Sequence, residues 1–230
     1  MNPQHLTVYK SPFRKHRIGQ DNDGGYVICD IPGLDYEMLI AGGVDNNVAF
    51  EEHFCNLYKN AICFAYDGTV EGVETKNENI TFIKQNISHD GKNGTTNLHN
   101  LFENSSNIFV KMDIEGWEIP WILSLNEEKF SKISQIVMEF HRPFDEMGGE
   151  ALRRLSLFFN LVHFHPNNCC GCRLHKGVVI PNVFECTFVN KKHFMSPCSL
   201  NTDPIPSPLD MQNLDYHDEI HLNHPPFVHS

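Results

Sequence analysis

The chain has 230 residues, 40% hydrophobic and 11% aromatic with 17 Phe, and only 20% charged, which suits one well-packed globular domain and excludes a disordered polymer. A formal charge of −11 gives no electrostatic footprint for nucleic acid or anionic lipid, and the one basic stretch, KSPFRKHR (10–17), is short. No run approaches the roughly 20 apolar residues that span a bilayer, and MNPQHLTVYK has no apolar signal core, so a cytoplasmic setting is expected unless the chain is part of a longer protein.

Residues 1–36 read as an irregular N-terminal element whose best strand is GYVICDI (25–31). Seven short apolar runs then read as strands: EMLIAGG (37–43), AICFAYDG (61–68), ITFIKQNI (80–87), IFVKMDIEG (108–116), ISQIVMEFH (133–141), NLVHFHP (160–166) and VFECTFVNK (183–191). Helix candidates lie between them at 44–60, 95–105, 117–130 and 148–160. Buried strands alternating with helices predict an α/β fold, a mostly parallel sheet with helices on both faces. The last two runs have little helix between them, which predicts an antiparallel hairpin at the sheet edge. A single domain is expected over 1–195, followed by a Pro-rich tail at 196–230 that packs on the domain or hangs loose.

In an open α/β sheet, ligands bind beyond the carboxyl ends of the strands. Here those ends carry Gly42, Gly43, Val44 and Asp45; Tyr66, Asp67 and Gly68; Asn86; Asp113 and Glu115; Glu139 and His141; then His163, His165, Asn167 and Asn168. Polar groups therefore collect at one edge, where buried strands should be apolar, and such groups need partners or a ligand. The Gly42-Gly43 turn admits close backbone approach. An acid about 24 residues later, Asp67, has the spacing that holds ribose hydroxyls. Either feature alone is as well explained by an ordinary turn. No G-x-G-x-x-G or phosphate-binding loop is present, which argues against a dinucleotide. S-adenosylmethionine, with a ribose and no phosphate, suits an acidic site.

IFVKMDIEGWEIPWIL (108–123) puts Lys111, Asp113, Glu115 and Glu118 into apolar surroundings. The first three alternate on one face of the strand and its exit, with Asp113 toward a pocket. Glu118 falls in the first turn of the next helix, favoured by its dipole, and Pro120 is tolerated there. The bland alternative is a solvated strand-to-helix turn. Met138 and Phe140 are expected in the core, as are Trp117 and Trp121.

These residues resemble the FkbM-type methyltransferases and related methyltransferase-like proteins. RIGQDNDGGYVICD (17–30), LIAGGVDNNVAFEEHF (39–54), FAYDGT (64–69), VKMDIEGWE (110–118), VMEFH (137–141), HFHPNNC (163–169), VFECTFVNK (183–191) and PLDMQNLDYHDEIHL (208–222) follow the family's order. Two positions depart from it: AGGVDNN lacks the usual G-x-G core, and Gly68 stands where Pro is commoner. The resemblance implies a seven-stranded Rossmann-like fold and an S-adenosylmethionine-dependent O-methyltransferase, in a family many of whose members act on hydroxyls of sugars or natural products. Gly42, Gly43, Val44, Asp67, Gly68, Asn86 and Asp113 are then the cofactor residues.

A neutral hydroxyl is a poor nucleophile, so a base or a metal must help remove its proton. Asp113 and His141 are expected to flank the acceptor, with His141 or His165 as base. Asp113, Glu139 and His141 would ligate Mg²⁺ or Mn²⁺ if a divalent cation is used. Tyr26, Glu115, Glu139, Asn167 and Asn168 are candidate acceptor contacts, Tyr26 either folding over the site or packing as a turn aromatic. The expected partner is a small-molecule or glycan acceptor, with neither nucleic acid nor membrane; nothing in the sequence sets the oligomeric state. Two other readings stay open, an NAD-dependent oxidoreductase and a catalytically inert Rossmann-like binding module.

Eight Cys are expected as reduced thiols in a chain that buries its own core. HFHPNNCCGCRLH (163–175) invites a zinc reading, but its C-C-x-C spacing is awkward for one tetrahedral site and an active-site loop is preferred. Four glycosylation sequons, at Asn79, Asn86, Asn93 and Asn104, read as coincidence without a signal peptide.

Overall fold

A computed structural model describes all 230 residues. The seven apolar runs form one sheet, built from β3 (Met38–Gly42), β4 (Ile62–Tyr66), β5 (Ile80–Ile83), β6 (Ile108–Met112), β7 (Ile133–His141), β8 (Phe159–Pro166) and β11 (Val183–Asn190). Its order is β5-β4-β3-β6-β7-β11-β8. The first five strands are parallel, and the order reverses between β3 and β6, where a crevice opens at the carboxyl edge. This is the mostly parallel, seven-stranded, Rossmann-like sheet the sequence predicts. The antiparallel pair also forms, in a more interleaved way. β11 returns between β7 and β8 and runs antiparallel to both, so β8 takes the edge. A separate hairpin of β9 (Cys172–His175) and β10 (Val178–Pro181) joins β8 to β11.

Each central strand is buried on both faces. Met38 and Ile40 face one core with Val110, Met112, Ile136 and Met138; helices α2 (Glu118–Ser124) and α4 (Glu146–Phe158) cover that side. Leu39 and Ala41 face a second core built with α1 (Ala49–Leu57) and the ribbon β1 (Arg14–Ile18) and β2 (Tyr26–Asp30). Two helix expectations contract. The 95–105 stretch makes one 3-10 turn, His99–Phe102, and 117–130 breaks after Ser124 before α3 (Glu127–Lys132), which Asn126 caps by accepting from the Lys129 amide. No helix is long and apolar enough to cross a membrane.

The 196–230 segment lies on the sheet, with Ile205, Leu222 and Phe227 buried in the larger core. Its polar anchor is buried too. Asp210 Oδ1 is 2.7 Å from His163 Nε2, and Asn213 donates to Glu185 at 2.7 Å. Burial would raise the Asp210 carboxyl, but the His163 imidazole outweighs it and brings the group down to about 2. A depressed carboxyl contributes stability that is complete above its unfolded value near 3.9 and fades as pH falls toward 2. Asp210→Asn is therefore expected to cost about 2 kcal/mol at neutral pH and to flatten the loss of stability between about pH 5 and 2, read by urea unfolding across that range.

Six cysteines are free thiols, as expected; Cys169 and Cys170 depart from the expectation and are joined in a disulfide between neighbouring residues. No three metal-ligating atoms of 163–175 lie within 4.8 Å of one another.

Candidate functional site

A cavity of about 600 Å³ opens at the carboxyl ends of β3, β4, β5 and β6. It is lined by Gly43, Asp67, Asn86, Asp113 and Glu115 from the sequence expectation, together with Asp23, Asp45, Tyr66, Thr69, Gln85, Ile87, Ser88, Thr95, Ile114 and Trp117. Gly42, Val44 and Gly68, expected with them, are not in the lining. Gly43 sits at φ +70° and a Cβ there would fall 1.6 Å from the Asp113 carbonyl oxygen, so only glycine lets the two strand ends touch. Gly68 packs its backbone on Asn86, whose Oδ1 accepts from the Gly68 amide at 3.1 Å.

Asp67 organises the floor of the cavity. Its carboxylate accepts from the Asp45 amide at 2.9 Å, the Thr69 amide at 2.8 Å and the Thr69 hydroxyl at 2.6 Å. Burial pushes this carboxyl up, but those donors outweigh it and hold the group below the usual carboxylate range. Three hydrogen bonds thus fix the orientation of the Asp67 carboxylate at the cavity wall. Asp45, at the end of the first strand, lines the cavity as its place there suggests, whereas Thr69 and Ser88 have no distinct mark in the sequence beyond the adjacency of Thr69 to Asp67.

The four charges of 108–123 separate into two systems. Lys111 turns away from the cavity: its ammonium donates to the Gly43 carbonyl at 2.6 Å and lies 3.8 Å from Glu51 of α1, both side chains buried. Burial pushes the Glu51 carboxyl up despite Lys111. Asp113, Glu115 and Glu118 converge instead on His141 from β7. Its Nε2 is 3.4 Å from Glu115, 3.5 Å from Glu139 and 4.0 Å from Asp113, and its Nδ1 is 3.2 Å from Glu118. Glu115 reaches this point through a left-handed turn, φ +55°, that follows the strand. Glu118 is fully buried and also accepts from the Ile114 amide at 2.9 Å, which locks the turn.

Burial raises the Asp113 carboxyl to about 6, against the pull of Lys111 and His141. Burial, then Asp113 and Glu185, raise Glu139 well above the carboxylate range. Burial lowers His141, but Glu118 and the other carboxylates outweigh it and leave the imidazole raised. One donor atom from each of Asp113, Glu139 and His141 lies within 4.8 Å of the others, a set able to hold a metal ion.

Of the remaining candidates, Tyr26 and Asn167 contact this cluster, while Asn168 and His165 do not. Tyr26 donates to Asp113 at 3.2 Å and packs edge-on against Phe50, under the site. Asn167 donates to Glu139 at 2.6 Å. Asn168 is turned to the C-terminal segment, donating to the Leu214 and His217 carbonyls and accepting from the Leu214 amide. His165 lies two strands from His141 and faces Glu185 at 3.2 Å and Glu219 at 3.9 Å. Burial lowers it, but Glu185 and Glu219 outweigh that and raise it to about 10. His165 is thus set apart from the Asp113–His141 pair and from the cavity lining, held instead by Glu185 and the tail. Glu185 was missed. It stands directly opposite Glu139 in register, and a carboxylate inside an otherwise apolar run was its signal.

No protein-family model matches the chain, and no curated protein matches it. Among solved structures it is similar to a chain of a fibrillarin/Nop5p complex (TM-score 0.40, 12% identity, 67% of this chain and 72% of that one). It is also similar to a predicted O-methyltransferase from Agrobacterium tumefaciens (0.38, 11%, 70% and 77%) and to a SAM-dependent O-methyltransferase from Thermotoga maritima (0.35, 10%, 68% and 60%). At these scores the likenesses assign the chain to no family.

Proposed function

We propose that the chain is an S-adenosylmethionine-dependent O-methyltransferase whose acceptor is a hydroxyl, most naturally of a sugar or glycan. One observation carries the reading: the cavity at the sheet's reversal point joins the Gly43 turn, Asp67 and Asp113, and has five carboxylates and no Lys, Arg or His in its lining. A dinucleotide's pyrophosphate would meet only negative charge there, which speaks against the NAD reading. A sulfonium nucleoside carries the opposite charge and a ribose for Asp67. The family resemblance of VKMDIEGWE and the motifs in order with it supports the same reading.

In the transfer, a lone pair of the acceptor oxygen forms the new bond to the methyl carbon as the carbon–sulfur bond breaks. Its electrons stay on sulfur, which becomes a neutral thioether. The acceptor proton leaves at the Asp113 end of the cavity, where the exposed Glu115 and solvent can take it, while the cavity holds oxygen, carbon and sulfur in line. Trp117, about half exposed at the cavity, offers a flat face, and Thr69, Gln85, Asn86 and Ser88 offer hydrogen bonds, the groups by which polyols are held.

Calorimetric titration with S-adenosylmethionine and with NAD tests the cofactor. Saturable heat is expected with the first and none with the second. Transfer of labelled methyl to a panel of hydroxylated glycans tests the acceptor. Heat with NAD alone would move the chain to the oxidoreductases, and cofactor binding with no transfer to any hydroxyl would leave it a binding module.

A further inference from the structure

Asp113, Glu139 and His141 share a feature that a chance cluster of acids lacks. Each has one polar atom tied to a neighbour and presents its other atom to the same point. Asp113 Oδ2 accepts from Tyr26, leaving Oδ1 4.0 Å from His141 Nε2. Glu139 Oε1 accepts from Asn167, leaving Oε2 3.5 Å from the same nitrogen. His141 Nδ1 faces Glu118, which leaves Nε2 turned inward. Glu139 is 5% exposed, and its inward oxygen has no hydrogen-bond donor except that imidazole. Lys111, the nearest ammonium in sequence, is committed to Gly43 and Glu51.

We propose that these three side chains form a divalent-cation site, with Glu115 at its exposed rim. Ligand atoms about 2.1 Å from one ion at angles of 90–110° lie about 3.0–3.5 Å apart, so a set with separations of 3.5 and 4.0 Å to the imidazole and within 4.8 Å overall needs an inward movement of about 1 Å. Tyr26, Asn167 and Glu118 are the outer partners that fix ligand orientation, Glu118 and His141 forming the carboxylate–imidazole pair usual behind a metal-bound histidine. Two carboxylate oxygens with one imidazole suit Mn²⁺, and Mg²⁺ more weakly. The cation's role rests on the proposed methyl transfer. It would bind the acceptor oxygen, lower the hydroxyl's pKa, and let the proton pass to Glu115 or solvent rather than to the three ligands.

The full chain, stripped with chelator, is titrated with Mn²⁺ by calorimetry, with electron paramagnetic resonance counting the free ion. One Mn²⁺ per chain and a higher thermal midpoint are expected. Asp113→Asn, Glu139→Gln and Glu118→Gln should each weaken binding about tenfold or more, with unchanged circular dichroism, whereas His163→Gln, in the separate tail anchor, should leave it unchanged. Should a ligand variant misfold, Tyr26→Phe keeps all three ligands and is still expected to weaken binding several-fold. Absence of saturable Mn²⁺ binding at millimolar concentration, or equal binding by Glu139→Gln, overturns the site. S-adenosylmethionine titrated into the chelated chain separates the two proposals. Cofactor heat without Mn²⁺ binding removes the cation alone, and Mn²⁺ binding without cofactor heat leaves the cation site and removes the methyl transfer.

Discussion

Asp113→Asn is expected to keep the fold and lose methyl transfer by about 10²–10⁴-fold, the range for a group that handles charge at a reacting proton. The side chain changes by one atom, and the Tyr26 hydroxyl can still donate to the remaining oxygen at the position now 3.2 Å away. What disappears is the negative charge at the point where Glu115, Glu139 and His141 converge. Single-turnover transfer of labelled methyl at saturating cofactor measures the loss, while the thermal midpoint should stay close to that of the parent. Transfer within tenfold of the parent would remove Asp113 from the reaction and leave it a wall of the cavity.

Lys111→Met is expected to destabilise the chain by about 3 kcal/mol and to weaken cofactor binding at the same time. The ammonium is buried, bonds the Gly43 carbonyl and is the cation beside Glu51. Without it, the Gly43 carbonyl loses its donor, and Glu51 must take up a proton or remain a lone charge under α1. The double variant with Glu51→Gln should recover at least about 1 kcal/mol relative to the sum of the singles, because the two sites are directly coupled. Urea unfolding of the four chains closes the cycle. Additive losses would show that Lys111 stabilises through the glycine turn alone.

The part of this fold that was legible in the sequence is the part held together locally. Runs such as EMLIAGG and IFVKM are apolar on both faces because they are covered on both, and each is followed by its own crossover segment. The row of polar groups at the strand exits was legible for the same reason: a charge such as Asp113 or Glu139 stands out against apolar neighbours. The position of β11 was not legible, because pairing of antiparallel strands across β9 and β10 leaves no periodic trace that distinguishes an outer from an inner place. Glu185 and the surroundings of His165 were hidden with it. Their partners, Asn213 and Glu219, come from the tail. The engagement of Asn168 by Leu214 and His217 was hidden likewise, since the 196–230 composition fits a packed strap as well as a loose one.

The inward return of β11 has a consequence for how the molecule is made. Until residues 183–190 emerge from the ribosome, the nine-residue β7 has no neighbour on one side, and its unpaired amides are a template for another chain. Glu139 and His141 sit on that bare rim. The last strand to be synthesised thus both seals this edge and sets Glu185 opposite Glu139, so shortened translation products should be aggregation-prone.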